Sequence, residues 1–259
     1  MEHKQLNTFH LFAGAGGGIL ADLLLGHNPI GACEIEQYPR DVLLARQRDG
    51  ILPNFPIWDD VCTLDGKPWR GTVDVLAGGF PCQDISAAGK GAGISGERSG
   101  LWKEYARLIE EIQPRFVFAE NSPLLRTRGL GVVLKDLASL GYNARWGVIG
   151  ARSVGAPHKR DRMWVLAYPR RQHGQKRNTA KLDSSEEERS HGSIHDQSID
   201  KGLVDSFWHN DPAESPIEPL VGRVADGVAN RVHRLKAIGN GQVPQCAAVA
   251  FNVLSRGLI

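Results

Sequence analysis

The sequence predicts an α/β domain, a mostly parallel sheet covered by helices on both faces. Three observations carry this reading. Six short, nearly continuous apolar runs fall within residues 1–168. Segments with helical periodicity stand between several of them. Glycines cluster near the ends of the runs, where a chain leaving a strand must turn sharply or let a ligand approach its backbone. Strands that are apolar on both sides belong to a sheet buried on both faces.

In chain order the runs are 9–12, 30–34, 73–77, 116–119, 144–149 and 163–167. The first passes through a glycine loop at 14–18 into a helical pattern at 18–25. The second is followed by a helical pattern at 38–47, and the third ends in Gly78 and Gly79. Helical patterns at 101–112 and 130–140 precede the fourth and fifth runs. No helical pattern separates the last two, so they are predicted to pair antiparallel through the loop around 155–161. Residues 169–201 carry many charges of both signs and few apolar side chains, too few to bury a core. They read as an extended surface insert, flexible over 170–205. The chain resumes with Phe207 and Trp208 and ends in a helix, Pro244–Leu254, apolar enough to pack on the sheet.

A chain of 259 residues holds one large domain, or one domain with a small appendage. No apolar run approaches the roughly 18 residues of a membrane span, and the start has no apolar signal region. The expected location is therefore the cytoplasm, with no membrane partner. Cys33, Cys62, Cys82 and Cys246 form no CxxC pair, which argues against a zinc ribbon and a disulfide scaffold. His173, His191 and His195 lack regular ligand spacing, so no metal site is predicted. A net charge of +2 does not announce nucleic acid but leaves room for a local basic face.

Five motifs carry chemistry. In FHLFAGAGGGILADLLLG, a strand enters a glycine loop and then a helix whose free N–H groups suit a ligand. Glu34, twenty residues past Gly14, stands where an acid accepts hydrogen bonds from ribose hydroxyls. The glycines alone do not separate NAD(P), FAD and S-adenosylmethionine. The run lacks the GxGxxG spacing of a pyrophosphate site, and a nucleoside without phosphates does not need it. In VDVLAGGFPCQDISAAGKGAG, Cys82 sits at the C-terminal mouth of a strand, where an N–H-rich loop can activate a thiol. The plainer reading of a lone cysteine is a small buried residue. In RFVFAENSP, Glu120 ends a neighbouring strand, where desolvation would raise its pKa and let it donate a proton. An acid there is otherwise a helix cap. In GAPHKRDRMWVLA, Arg160 and Arg162 lie two apart and face one side, to clamp a phosphate or base oxygen, or to form a surface salt bridge. In RLKAIGNGQVPQCAA, Asn240 opens the last helix as a cap.

Read in order, these motifs resemble those of the bacterial DNA cytosine-5 methyltransferases. The matching residues are FAGAGG (12–17), GGFPCQDIS (78–86), RSGLWKE (98–104), ENS (120–122), GAPHKRDRMW (155–164) and GNGQVP (239–244). The short insert is similar to that of compact phage or prophage members. The resemblance implies a Rossmann-like S-adenosylmethionine-dependent domain at 1–168 plus 237–259 and a small target-recognition domain at 169–236. It implies that Phe12, Ala13, Gly14, Gly16 and Gly17 line the methionine end of the cofactor, with Glu34 on the ribose. Ile35, Asp60 and Val61 then meet the adenine, Asn240 and Gly241 close over the amino acid moiety, and Gly79, Pro81 and Leu101 complete the site. Cys82 becomes the nucleophile toward cytosine, Glu120 the group at N3, and Arg162, helped by Arg160, the clamp on the base oxygen. Gln83, Ser86, Arg98, Arg170 and Arg171 become contacts to double-stranded DNA, whose target base must be flipped out. The stretch 89–100 becomes a loop closing over it.

Three neighbours of these residues depart from the family's usual pattern: Ser122 for valine, His158 for glutamine and Gln242 for valine. The expected protein is a monomer in a bacterial cell or phage-infected host, acting beside a restriction endonuclease of the same specificity. The competing readings are an RNA cytosine-5 methyltransferase, a catalytically inactive DNA-binding relative, and a nucleotide-dependent oxidoreductase that binds NAD and gives Cys82 no role.

Overall fold

The computed structural model describes residues 5–81, 100–170 and 231–259. The elements in order are β1 (Asn7–Leu11), α1 (Gly17–Leu25), β2 (Asn28–Cys33), α2 (Gln37–Arg48), β3 (Ile57–Trp58), β4 (Val75–Gly79), α3 (Leu101–Ile112), β5 (Phe116–Asn121), α4 (Leu125–Arg128), α5 (Leu130–Ser139), β6 (Tyr142–Ile149), β7 (Arg162–Pro169), α6 (Arg231–Asn240) and α7 (Pro244–Leu254). They form a seven-stranded sheet in the order β3-β2-β1-β4-β5-β7-β6. The first five strands of that order run parallel, and β7 pairs antiparallel with both β5 and β6.

The alternation in β1 divides the two faces. Phe9 and Leu11 point to the face covered by α3 and α5, with Tyr105, Leu108, Ile109, Val133 and Leu137. On α3 the buried residues Trp102, Tyr105, Leu108, Ile109 and Ile112 recur at helical spacing, and each contributes roughly 1.5–3 kcal/mol by leaving water. Two polar tips on this helix find partners, as buried polar groups must. Trp102 Nε1 donates to Asp136 Oδ2 at 2.9 Å, and the Tyr105 hydroxyl donates to the Leu76 carbonyl at 3.0 Å.

The opposite face is covered by α1 and α7. Residues 246–251 of α7 are buried without exception, which its alanine-rich sequence permits, since small side chains let a helix sit close. Thr8 and His10 point to this side and meet Asp22 of α1. Burial pushes the Asp22 carboxyl up, but His10, through charge and hydrogen bonding, together with bonds from His27 and Thr8, outweighs it and brings it down to about 2.

The antiparallel pairing expected for the last two strands is present, and β7 also inserts between β5 and β6. The two-residue strand β3, which extends the sheet beyond β2, is too short to give a sequence pattern. Among the described residues no helix is long and apolar enough to cross a membrane, and no cluster of metal-ligating side chains is present. His173, His191 and His195, and the insert expected to be flexible, lie outside the described residues.

Candidate active site

Strand order reverses between β1 and β4: β2 and β3 follow on one side of β1, β5 on the other side of β4. Loops leaving neighbouring strands at such a point diverge, and a crevice opens at the carboxyl ends of the strands. A cavity of about 490 Å³ lies there. Its wall includes Phe12 after β1, Glu34 and Ile35 after β2, Asp60 and Val61 after β3, Gly79 and Pro81 at the end of β4, Leu101 of α3, Glu120 of β5, Arg162 of β7 and Asn240 of α6. Gly14 of the glycine loop also faces it.

Glu34 organises the entrance. Its carboxylate accepts the Gly14 N–H at 2.6 Å and the Glu36 N–H at 2.8 Å, tying the glycine loop to the end of β2. Gly14 has φ +54 and nothing within 4 Å of where a Cβ would stand, so the backbone is bare on that side. Phe12 also adopts a left-handed backbone, with φ 52, a conformation that costs a non-glycine residue of order 1–3 kcal/mol. Ile35 is 67% exposed at the rim, an apolar side chain open to a flat ring. The Asp60 carboxylate accepts the Cys62 N–H at 2.9 Å, and Arg107 donates to the Val61 and Leu64 carbonyls at 2.9 and 3.0 Å, fixing the loop between them.

At the other end of the cavity Glu120 is buried, and its Oε1 lies 2.9 Å from Arg162 Nε. Antiparallel pairing produces this contact. The register sets Asn121 opposite Met163, so the first residue of β7 falls at the end of β5. Burial raises the Glu120 pKa more than Arg162, Gln242 and Arg160 lower it. The carboxyl therefore holds a proton more readily than an exposed glutamate does. Its neighbour Asn121 is buried too and donates to the Phe80 carbonyl at 3.1 Å, pinning the stretch that leads to Pro81.

Several expected residues do not line the cavity. Ala13 packs against the cluster containing Ile19 and Leu43. Gly16 has φ +93 and faces Leu43, and a Cβ on Gly17 would run into the Gln242 backbone carbonyl. The turn and the packing against Leu43 and Gln242 each require a glycine at these positions. Gly241 instead accepts a hydrogen bond from Arg160, which also donates to the Gly239 carbonyl, both at 2.7 Å. Arg160 thus holds the α6–α7 turn, and its charge also acts on Glu120. Arg170 follows the far end of β7 and donates its backbone N–H to the Gly141 carbonyl, on the edge away from the cavity. Cys82, Gln83, Ser86, Arg98 and Arg171, and nearly all of the expected closing loop, lie outside the described residues.

Other lining residues carry no signal in the sequence. Tyr38 and His233 stack with ring centroids 5.7 Å apart, and Lys236 Nζ lies 2.7 Å from Glu36 Oε1. All four face the cavity, so α6 closes one side of it. His233 and Lys236 bring α6 against the start of α2, and nothing in their local sequence points to a contact some 200 residues back along the chain.

The charge of the wall is chemically selective. Glu34, Glu36, Asp59, Asp60 and Glu120 face Arg162 and Lys236. Arg162 and Lys236 are each paired with one of those acids. An acidic wall repels a pyrophosphate and favours a cation.

Comparison with known proteins places these features. A family sequence model described as C-5 cytosine-specific DNA methylase matches residues 6–222. The chain is 33% identical over 165 residues to Type II methyltransferase M.CviJI of Paramecium bursaria Chlorella virus IL3A, covering 63% of this chain and 43% of that protein. It is 37% identical over 176 residues to Type II methyltransferase M.Eco47II of Escherichia coli, covering 64% and 40%. The matches thus span less than half the length of these relatives. Among solved structures, one described as a DNA modification methyltransferase encoded within an E. coli prophage superposes with a TM-score of 0.51 at 26% identity, covering 64% of this chain and 47% of that one. The S. pombe Dnmt2 methyltransferase superposes with a TM-score of 0.52 at 20% identity, over 66% and 53%, a likeness of fold.

Proposed function

Because this chain belongs to the C-5 cytosine-specific DNA methylase family, we propose that it transfers a methyl group from S-adenosylmethionine to carbon 5 of cytosine in double-stranded DNA. The observation that carries the reading is the cavity itself: an acidic wall at the β1/β4 crevice, with a buried carboxyl and its arginine at one end. A cavity of about 490 Å³ is in the range of small-molecule sites. Its donors and acceptors fit a cationic nucleoside better than a dinucleotide with a pyrophosphate, which disfavours the oxidoreductase reading.

Glu34 would accept the ribose hydroxyls, its oxygens keeping acceptor capacity beyond the Gly14 and Glu36 N–H groups. Ile35 and Val61 would flank the adenine, and Phe12, Gly14 and Asn240 the amino acid end. When bound, S-adenosylmethionine supplies an electrophilic methyl on a sulfonium.

Cytosine C5 is a poor nucleophile, and the chain's own residues would correct that. Cys82, the residue after the cavity-lining Pro81, adds its thiolate to C6. The C5–C6 π pair shifts to form C4=C5 as the C4–N3 π pair moves onto N3, where Glu120 donates its proton, so the ring becomes a neutral enamine nucleophilic at C5. C5 would accept the methyl that the bound sulfonium supplies, the donor leaving as a neutral thioether. Loss of the C5 proton to a base expels the Cys82 thiolate, and Glu120 recovers the N3 proton. Arg162 keeps Glu120 oriented and can donate to the cytosine oxygen. Raising the pKa of a carboxyl is what a general acid near neutral pH needs, and burial supplies that direction. The target base must leave the duplex to reach such a site. We assign target reading to residues 169–236, take the protein as a cytoplasmic monomer, and take a restriction endonuclease of the same specificity as its functional partner.

The test is methylation in cells that have no cytosine methylation of their own. Wild type should produce 5-methylcytosine at one short motif, read by conversion sequencing, and Cys82→Ala should produce none. A folded wild type that binds S-adenosylmethionine but leaves DNA unmethylated would overturn the DNA reading in favour of RNA or a binding role.

A further inference from the structure

We propose that Gln242 is a positioning residue for Glu120, its side-chain amide holding one carboxylate oxygen while Arg162 holds the other. The inference rests on the reading that Glu120 serves methyl transfer. Gln242 Nε2 lies 3.5 Å from Glu120 Oε2, and Arg162 Nε lies 2.9 Å from Oε1. The contact joins residues 122 positions apart, through the turn between α6 and α7.

Three glycines make room for Gln242, one for its backbone and two for its side chain. A Cβ on Gly17 would strike the Gln242 backbone carbonyl. A Cβ on Gly18 would stand 2.6 Å from Gln242 Oε1 and 3.1 Å from His10 Nδ1. A Cβ on Gly79 would strike Glu120 Oε2 and stand 3.2 Å from Gln242 Nε2. Backbone, amide oxygen and amide nitrogen of one glutamine thus each occupy space that a glycine leaves free, at the start of α1 and at the end of β4. The amide orientation follows, since its oxygen turned toward Glu120 would oppose a carboxylate. Arg160 secures the same turn by bonding the carbonyls of Gly239 and Gly241. The valine usual at this position in the family could fill part of the volume but could not donate.

The groups facing Glu120 are Gln242 from the α6–α7 turn, Arg162 from β7 and Arg160 from the loop before it, and each favours the ionised carboxylate. Removing the amide donor therefore moves Glu120 titration to higher pH, on top of the upward push of burial. A filler role would change stability alone.

The experiment follows the Glu120 carboxyl by carbon-13 NMR in the full chain, assigned with Glu120→Gln, for wild type, Gln242→Met and Gln242→Glu. Single-turnover methyl transfer to cytosine-containing DNA and binding of S-adenosylmethionine are measured on the same samples. Both variants should titrate Glu120 at higher pH than wild type. Gln242→Met should lower single-turnover transfer about tenfold while binding S-adenosylmethionine within about threefold of wild type. An unchanged Glu120 titration in either folded variant would overturn the proposal. A wild type that transfers no methyl to DNA would overturn the reading of function, while the NMR titration would still decide the role of Gln242.

Discussion

Arg162 Nε and Glu120 Oε1 lie 2.9 Å apart, joining the first residue of β7 to the penultimate residue of β5. Had β7 run parallel to its neighbour, its first residue would stand at the opposite edge of the sheet. One reversed strand thus brings a guanidinium to a buried carboxyl at the edge where loops from β1, β2 and β4 line the crevice.

Arg162→Ala should leave that carboxyl without its strongest opposing charge. Glu120 then titrates still higher than in wild type, and the pH profile of methyl transfer shifts upward. The rate at neutral pH should fall roughly 100-fold, the scale of losing one preorganised charged donor. Arg162→Lys should restore charge but not the fixed planar fork, and recover only part of the rate. A pH–rate profile of single turnovers checks both.

Asp22 is a stability residue, remote from the chemistry. It collects Thr8, His10 and His27 in a buried cluster under α1. Asp22→Asn should destabilise the fold by about 3 kcal/mol, because partners of the carboxylate stay buried without it. The sign of the pH effect follows from a pKa lowered from 3.8 to about 2. The stabilisation is fully present above the unfolded value and is lost as pH falls through the folded one. The gap between wild type and variant in urea unfolding should therefore close between about pH 4 and pH 2.

Gly14 and Gly17 should respond differently to alanine. At Gly14 a methyl meets nothing within 4 Å, but the backbone is left-handed and the group points toward the cavity. Gly14→Ala should cost about 1 kcal/mol of stability and weaken S-adenosylmethionine binding. Gly17→Ala meets the backbone of Gln242 and should cost about 2–3 kcal/mol through displacement of that turn. Denaturant unfolding and calorimetric titration of the same two proteins separate the effects.

Thiol labelling gives a fourth check. Burial pushes Cys33 and Cys246 up to about 12, and both are closed to solvent. Neither should react with a maleimide at pH 8 in the folded protein. Cys62 is exposed, and its thiol is raised by partial burial and Asp60, so it should react more slowly than a free cysteine. Peptide mass spectrometry after a timed pulse reads each site, and a Cys82 faster than Cys62 would mark an activated thiol.

Local patterns in the sequence are enough to find what local forces build. The apolar runs mark β1, β2 and β4 to β7, because strands buried on both faces cannot avoid such runs. The glycine loop, Glu34 and Glu120 are visible as residues at strand ends. Strand β3 is not, since two residues make no pattern. The packing needs of Gly16 and Gly17 are not legible in the sequence, because a glycine looks the same whether a ligand or a neighbouring turn needs the space. Arg160 and Arg162 share a spacing but differ in role, since one bonds the α6–α7 turn and the other Glu120. The contacts of Gln242, His233 and Lys236 depend on chain segments far apart in sequence, which no local window contains.

If, as proposed, residues 169–236 read the target, the direction of β7 also bears on how that reading could be exchanged between proteins. The strand begins beside Glu120 and, eight residues later, has carried the chain to the opposite edge of the sheet, roughly 26 Å away. The next described residues, in α6, are back at the crevice with His233 against Tyr38. Whatever joins them is attached to the body at two widely separated anchors. A graft replacing that connection must bridge the full height of the sheet, so a donor segment shorter than about eight extended residues would pull α6 off the crevice or unzip the end of β7. Grafts long enough to bridge should leave the crevice and the Glu120–Arg162 pair intact, which makes the two anchors natural splice points for a chimera.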